Sequence, residues 1–142
     1  MFPALTLVLA LASLAGSQLG NPPASAMMST GPIDGSTILG PASVVGRLDA
    51  EKVDAALADR VNELRYCYQR ERVQRPTLAG QLTMSFVIEP DGSVSQAFTA
   101  AETLGDPAVE ACVQGRLLHM RFPRPRRGEP AVATVSITFT PG

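Results

Sequence analysis

The sequence predicts an α+β domain, two helices packed on one face of a three-stranded antiparallel sheet, in the order helix, strand, strand, helix, strand. Three observations predict it. Gln81 to Ile88 (QLTMSFVI) alternates apolar and polar residues and runs into Pro90-Asp91-Gly92, the signature of a hairpin. Two other segments carry apolar residues at helical spacing, and Ala131 to Thr140 (AVATVSITFT) alternates almost without fault. Strands with one apolar face need helices over that face and leave the Ser/Thr side to water.

Phe2 to Ala15 (FPALTLVLALASLA) is uncharged and almost wholly apolar, and Ala24-Ser25-Ala26 offers small residues suited to a cleavage site. Residues 1–26 therefore read as a secretory signal peptide, cut between Ala26 and Met27. No Lys or Arg precedes the apolar core, and a retained membrane anchor is the alternative. The run is short of the roughly 20 apolar residues a spanning helix needs, and no stable transmembrane helix is expected beyond it. Residues 27–47, rich in Ser, Thr, Gly and Pro, read as a flexible tether with a short strand at Ala42 to Val45; residues 48–142 form the domain. Net charge is −1, so no global field draws the chain to nucleic acid or to an anionic membrane.

Asp49 is placed to cap the first helix, with Glu51 in its positive first turn. Val53, Leu57, Val61, Leu64 and Tyr68 form its buried stripe, Cys67 shares that side, and Pro76 stops the helix soon after Arg75. In the first strand Leu82, Met84, Phe86 and Ile88 face inward; the return strand, Ser93 to about Thr99, turns Val94 and Phe98 inward. Asp106 caps the second helix, with Pro107 at its first position. Val109, Cys112, Val113, Leu117 and Met120 make the stripe, which runs to Pro123. The last strand buries Ala133, Val135, Ile137 and Phe139.

Both cysteines, Cys67 and Cys112, lie on inward stripes of helices over one sheet face. In an exported protein such a pair is expected as a structural disulfide, with two buried free thiols as the alternative. The bond would close a loop of about 45 residues, worth roughly 4 kcal/mol on the chain-entropy account. No metal site is expected, since His119 is the sole histidine, and no Cys-x-x-Cys suggests redox activity.

Leu64-Arg65-Tyr66-Cys67-Tyr68, Leu78-Ala79-Gly80, Phe86 to Val94 (FVIEPDGSV), Thr103 to Val113 (TLGDPAVEACV) and Arg121-Phe122-Pro123 together resemble the AgmX/PglI C-terminal domain family, an envelope domain similar to the TonB C-terminal domain. The resemblance covers Leu48 to Phe139; it departs where the family often has tryptophan before Arg-Phe-Pro and this chain has Met120. It implies a periplasmic or cell-envelope location and binding by strand addition, in which an extended segment of an envelope partner, such as an outer-membrane protein, joins a sheet edge.

The residues themselves argue against an enzyme. His119 lies beside apolar helical residues, Ser93 and Ser95 near Asp91 are accounted for by hairpin chemistry, and no glycine loop could cradle phosphate; no catalytic residue, cofactor or metal is expected. The edge expected to receive a partner is the last strand, through Val132, Thr134, Ser136 and Thr138, unless the tether folds back over it or a second copy occupies it. Self-association in a structural scaffold is the alternative function. Arg121, Arg124, Arg126 and Arg127 crowd into a proline-held loop that is either a docking site for an acidic partner or a solvated connector. Without an aromatic ladder beside them, single-stranded nucleic acid is not an expected ligand.

Overall fold

The structure, a computed structural model, describes residues 36–141. The expected signal segment 1–26 and the first part of the tether, 27–35, lie outside the described residues. Within them the domain is α+β, with three helices and a five-stranded antiparallel sheet. The elements are β1 Ser36–Leu39, β2 Ser43–Val45, α1 Ala50–Asp59, α2 Val61–Arg72, β3 Gly80–Ile88, β4 Val94–Glu102, α3 Pro107–Leu118 and β5 Ala131–Thr140. Across the sheet the order is β1, β5, β3, β4, with β2 also pairing β5.

The three strands expected in the domain and the short one expected at Ala42 to Val45 become five, with β1 the addition. Ser36 pairs Thr140 and Leu39 pairs Ile137; Ser43 pairs Thr134 and Val45 pairs Val132. β1 and β2 are two pieces of one ribbon along β5, separated by Gly40-Pro41-Ala42. The Gly40 N–H donates to Ser136 O at 2.8 Å, and the Ala42 N–H to Asp54 Oδ1 at 2.7 Å. Composition marked this stretch as a tether because Gly, Pro and Ser dominate it. The short strand expected at Ala42 to Val45 is present as β2. β1 has no such local pattern; what makes it strand is a partner about a hundred residues away.

The expected single first helix is two. Arg60 departs from helical geometry (φ −116°, ψ 13°) and separates α1 from α2. Between the buried Leu57 and the buried Leu64 no side chain is fully buried, so the break forfeits no core contact. Val61, expected in the stripe, is only half-buried. Asp49 occupies the cap position without a side-chain cap; its Oδ1 instead accepts from Arg126 at 3.3 Å. Asp106 does cap α3, accepting from the Ala108 and Val109 N–H groups at 2.9 and 3.1 Å. α3 ends at Leu118 rather than at Pro123, and Met120 and Phe122 are buried from the coil that follows.

The hairpin closes as its residues require. Gly92 has φ 89°, and an added Cβ would meet Phe122 O at 2.3 Å, so glycine serves both the turn and a close approach. Asp91 Oδ1 accepts from the Ser93 N–H at 2.9 Å and its hydroxyl at 2.6 Å. One core joins helices to sheet: Leu57, Leu64 and Leu117 pack with Leu82, Phe86, Ile137 and Phe139, placing the helices over the inward face.

Candidate functional site

Cys67 and Cys112 are joined as a disulfide, with Cα atoms 5.6 Å apart, clasping α2 to α3. Cys67 is fully buried and Cys112 is partly buried against the core. Beside the clasp Tyr68 turns inward, stacks on Phe139 with centroids 4.9 Å apart, and donates its hydroxyl to Leu78 O at 2.6 Å. Burial raises its pKa, and Arg72 moderates the shift. Tyr66 stays outside, with the Arg70 and Arg116 guanidinium groups 5.8 and 5.5 Å from its ring centre.

The edge expected along β5 is not an edge. Val132, Thr134, Ser136 and Thr138 lie on a strand flanked by β3 on one side and by β1 and β2 on the other. Its backbone groups are committed on both sides, and its outer-face hydroxyls are paired as well. Ser85 with Thr134 (2.8 Å) and Thr83 with Ser136 (3.0 Å) form rows across the sheet. The covering ribbon belongs to the stretch expected as a tether.

The arginines of the loop do not converge. The Arg126 N–H donates to Arg47 O at 2.8 Å and its guanidinium pairs with Asp49, tying the loop to the start of α1. Arg121 sits at the far end, where it bridges Ser93 and faces Asp91. Arg124, between them, and Arg127, just past Arg126, are exposed, Arg127 at φ 64°. His119 is exposed at the end of α3, with Nδ1 2.8 Å from Gly115 O. Among the described residues no group of three or more His, Cys, Asp or Glu is placed to hold a metal ion.

What remains open is β4. Among the described strands it pairs only with β3, and from Val94 to Ala101 it carries no charge. Natural edges are usually short, charged, broken by proline or twisted by bulges; β4, at nine residues, has neither charge nor proline along its middle, and its register irregularities flank the regular stretch Gln96 to Thr99. The ribbon at the opposite edge uses two of them: pieces of four and three residues, and Pro41 between them.

Phe98 lies at the centre of β4. It was expected inward, but it faces out, opposite Ser85 and 47% exposed. The cause is a register irregularity: Gln96 pairs Val87 and Val94 pairs Ile88, so Ser95 is an extra residue. That residue reverses the alternation after Val94, turning Ala97 rather than Phe98 into the core. A strand pattern read from one sequence assumes unbroken alternation and misses such a step.

One side chain attends this edge. The Gln114 amide, on α3, donates to Ala97 O at 2.6 Å. That carbonyl therefore points away from β3, into the position an added strand would fill. Nearby, the Thr99 hydroxyl donates to Glu110 at 3.0 Å. Neither Gln114 nor the outward Phe98 was singled out from the sequence; an uncharged run of eight residues between Ser93 and Glu102 was the available signal.

No protein-family model, curated protein or solved structure matches the chain.

Proposed function

We propose that the domain is a non-enzymatic interaction module of the cell envelope that takes up an extended segment of a partner protein along the open edge of β4. The observation that carries this reading is the edge itself: a nine-residue strand, uncharged from Val94 to Ala101, with one neighbour among the described strands and a half-exposed phenylalanine at its centre. An added strand would satisfy the outward backbone groups with main-chain hydrogen bonds, and alternate side chains would set specificity. The resemblance to TonB-like C-terminal domains supports the same mode of binding. The envelope setting is supported by the disulfide, since such bonds persist in exported proteins and are rare in reducing compartments. The apolar N-terminal run supports export in the same sense.

Self-association is the second reading, and it draws on the same edge. The test is a photo-activated crosslinking residue placed at Phe98, with Thr134 as the control on the outer face of a central strand. Illumination of whole cells is expected to yield adducts at Phe98 and few at Thr134. Equal capture at both positions, or none at Phe98, contradicts strand addition at β4.

A further inference from the structure

Resting on that reading, we propose that β4 also accepts β4 of a second copy of this chain, antiparallel about a two-fold axis at Phe98. The argument begins with which part of the edge is open. At its start, Ser93 bridges to Arg121 and the Phe122 N–H donates to Gly92 O at 2.9 Å, so the chain after α3 already covers the strand there. At its finish, Glu102 turns to accept from the Gly105 N–H at 2.7 Å. Among the described residues Ser95 to Ala101 is left open by every strand but β3, and Phe98 is its midpoint.

Backbone direction then selects the register. The pairing with β3 is regular from Gln96 to Thr99. Because Ala97 O points outward to Gln114, alternation turns the backbone groups of Ala97 and Thr99 outward and those of Gln96 and Phe98 toward β3. A two-fold axis at Phe98 sets Ala97 of one copy opposite Thr99 of the other. Both present their N–H and C=O groups to the gap, and the symmetric pair does the same. Phe98 then faces Phe98 at a non-hydrogen-bonded position, where cross-strand side chains approach most closely. A second extra residue, Ala100, interrupts the ladder after Thr99, which pairs Met84 while Ala101 pairs Thr83. Axes at Ala97 or Thr99 set Phe98 against Gln96 or Ala100 and oppose Thr99 to the extra residue Ser95, or Ala97 to Ala101 beyond the second irregularity. The axis at Phe98 pairs the two regular outward residues with each other.

Charge agrees with this arrangement. No two like charges are opposed along the paired stretch, and Glu102 of one copy arrives beside Val94 of the other, next to the bridge between Ser93 and Arg121. The net charge of −1 adds little repulsion between copies. Growth stops at two copies, because the outer edges of the joined sheet would be the short β1 and β2 pieces with Pro41. Gln114 is the competitor, since its amide must leave Ala97 O for the second strand to seat.

The test uses two single-cysteine additions, Phe98→Cys and Gln96→Cys, both at exposed positions on the outer face of β4. In the proposed register two copies of residue 98 are adjacent. Two copies of residue 96 are four positions apart along the strands, about 13 Å and beyond the reach of a disulfide. Mild oxidation is expected to give a covalent dimer linked through residue 98, mapped by mass spectrometry, and at least tenfold less dimer at residue 96. Sedimentation of the unmodified chain over a range of concentrations is expected to show a reversible dimer, abolished by Phe98→Glu and tightened severalfold by Gln114→Ala. Equal crosslinking at the two positions, or a monomer at every concentration, overturns the self-pairing. If self-pairing is overturned while the photo-crosslinker at Phe98 still captures a different protein, strand addition stands without it. If nothing is captured, both fall.

Discussion

The Gln114 side-chain amide and the Ala97 carbonyl oxygen lie 2.6 Å apart, joining the middle of α3 to the outward side of β4. Among the described residues this is the contact through which a helix satisfies a backbone group of β4 that another strand would otherwise use. Gln114→Ala is expected to cost the isolated domain only about 0.5–1.5 kcal/mol, because the carbonyl can turn to water. Association through β4 should strengthen in the same variant. Chemical denaturation, set beside sedimentation, checks both directions.

The disulfide makes a larger claim on stability. Cys67 and Cys112 are 45 residues apart in sequence, and removing their bond frees a loop of that length in the unfolded chain. Replacing both with serine is expected to destabilise the domain by roughly 3–4 kcal/mol, less any structure the unfolded chain retains. The denaturation midpoint with and without reductant measures it. Native protein titrated under denaturant should show no free thiol.

Thr37 presents the opposite case. Its hydroxyl is buried against the core side of β1 and finds no hydrogen-bond partner among the described residues. An unsatisfied buried hydroxyl costs about 1–3 kcal/mol, and valine fills the same shape without that cost. Thr37→Val is therefore expected to raise stability by about 1 kcal/mol and to fasten the ribbon of residues 36–45 more firmly to β5. Amide exchange at Thr138 and Thr140 should slow with it.

Much of this fold was legible in the sequence. The alternation in β3 and β5, the Pro-Asp-Gly turn, the Asp106-Pro107 start of α3 and the inward Tyr68 are all local patterns, and local patterns survive into structure. The cysteine pair was legible from the stripes that carry it. What could not be read is non-local. β2 was marked by Ala42 to Val45, but β1, and the pairing of both with β5, exist because β5 supplies a partner, and Phe98 faces outward because Ser95 adds a residue to the ladder. The candidate site sits where both effects meet: one closes the edge that alternation nominated, and the other exposes the side chain that alternation buried.

The hairpin carries a pH signature. Asp91 is held below the ordinary carboxylate range, chiefly by the Ser93 hydroxyl and then by the Ser93 N–H. A depressed folded-state pKa means that the charged form favours the fold. Its contribution is present at neutral pH, above the unfolded carboxylate value, and is lost as pH falls through the folded value. Asp91→Asn is expected to remove that part of the acid dependence while leaving the rest of the profile in place. Stability measured across the acid range for both proteins checks it.

Tyr68 joins three elements: it leaves α2, stacks on Phe139 of β5 and bonds Leu78 just before β3. Tyr68→Phe keeps the stack and orphans the buried end of that bond, at an expected loss of about 1–3 kcal/mol. The raised pKa of the phenol adds a second reading of the same contact. Its contribution is complete below the unfolded tyrosine value and is lost as pH rises through the folded one, so the native protein should lose stability in alkali where the phenylalanine variant does not.

Residue-resolved amide exchange on the dilute monomer tests the open edge most directly. The amides of Ala97 and Thr99 are expected to exchange fast, while those of Gln96 and Phe98, facing β3, exchange slowly. If all four are protected alike in the monomer, β4 is already covered, and neither a partner segment nor a second copy has an edge to join.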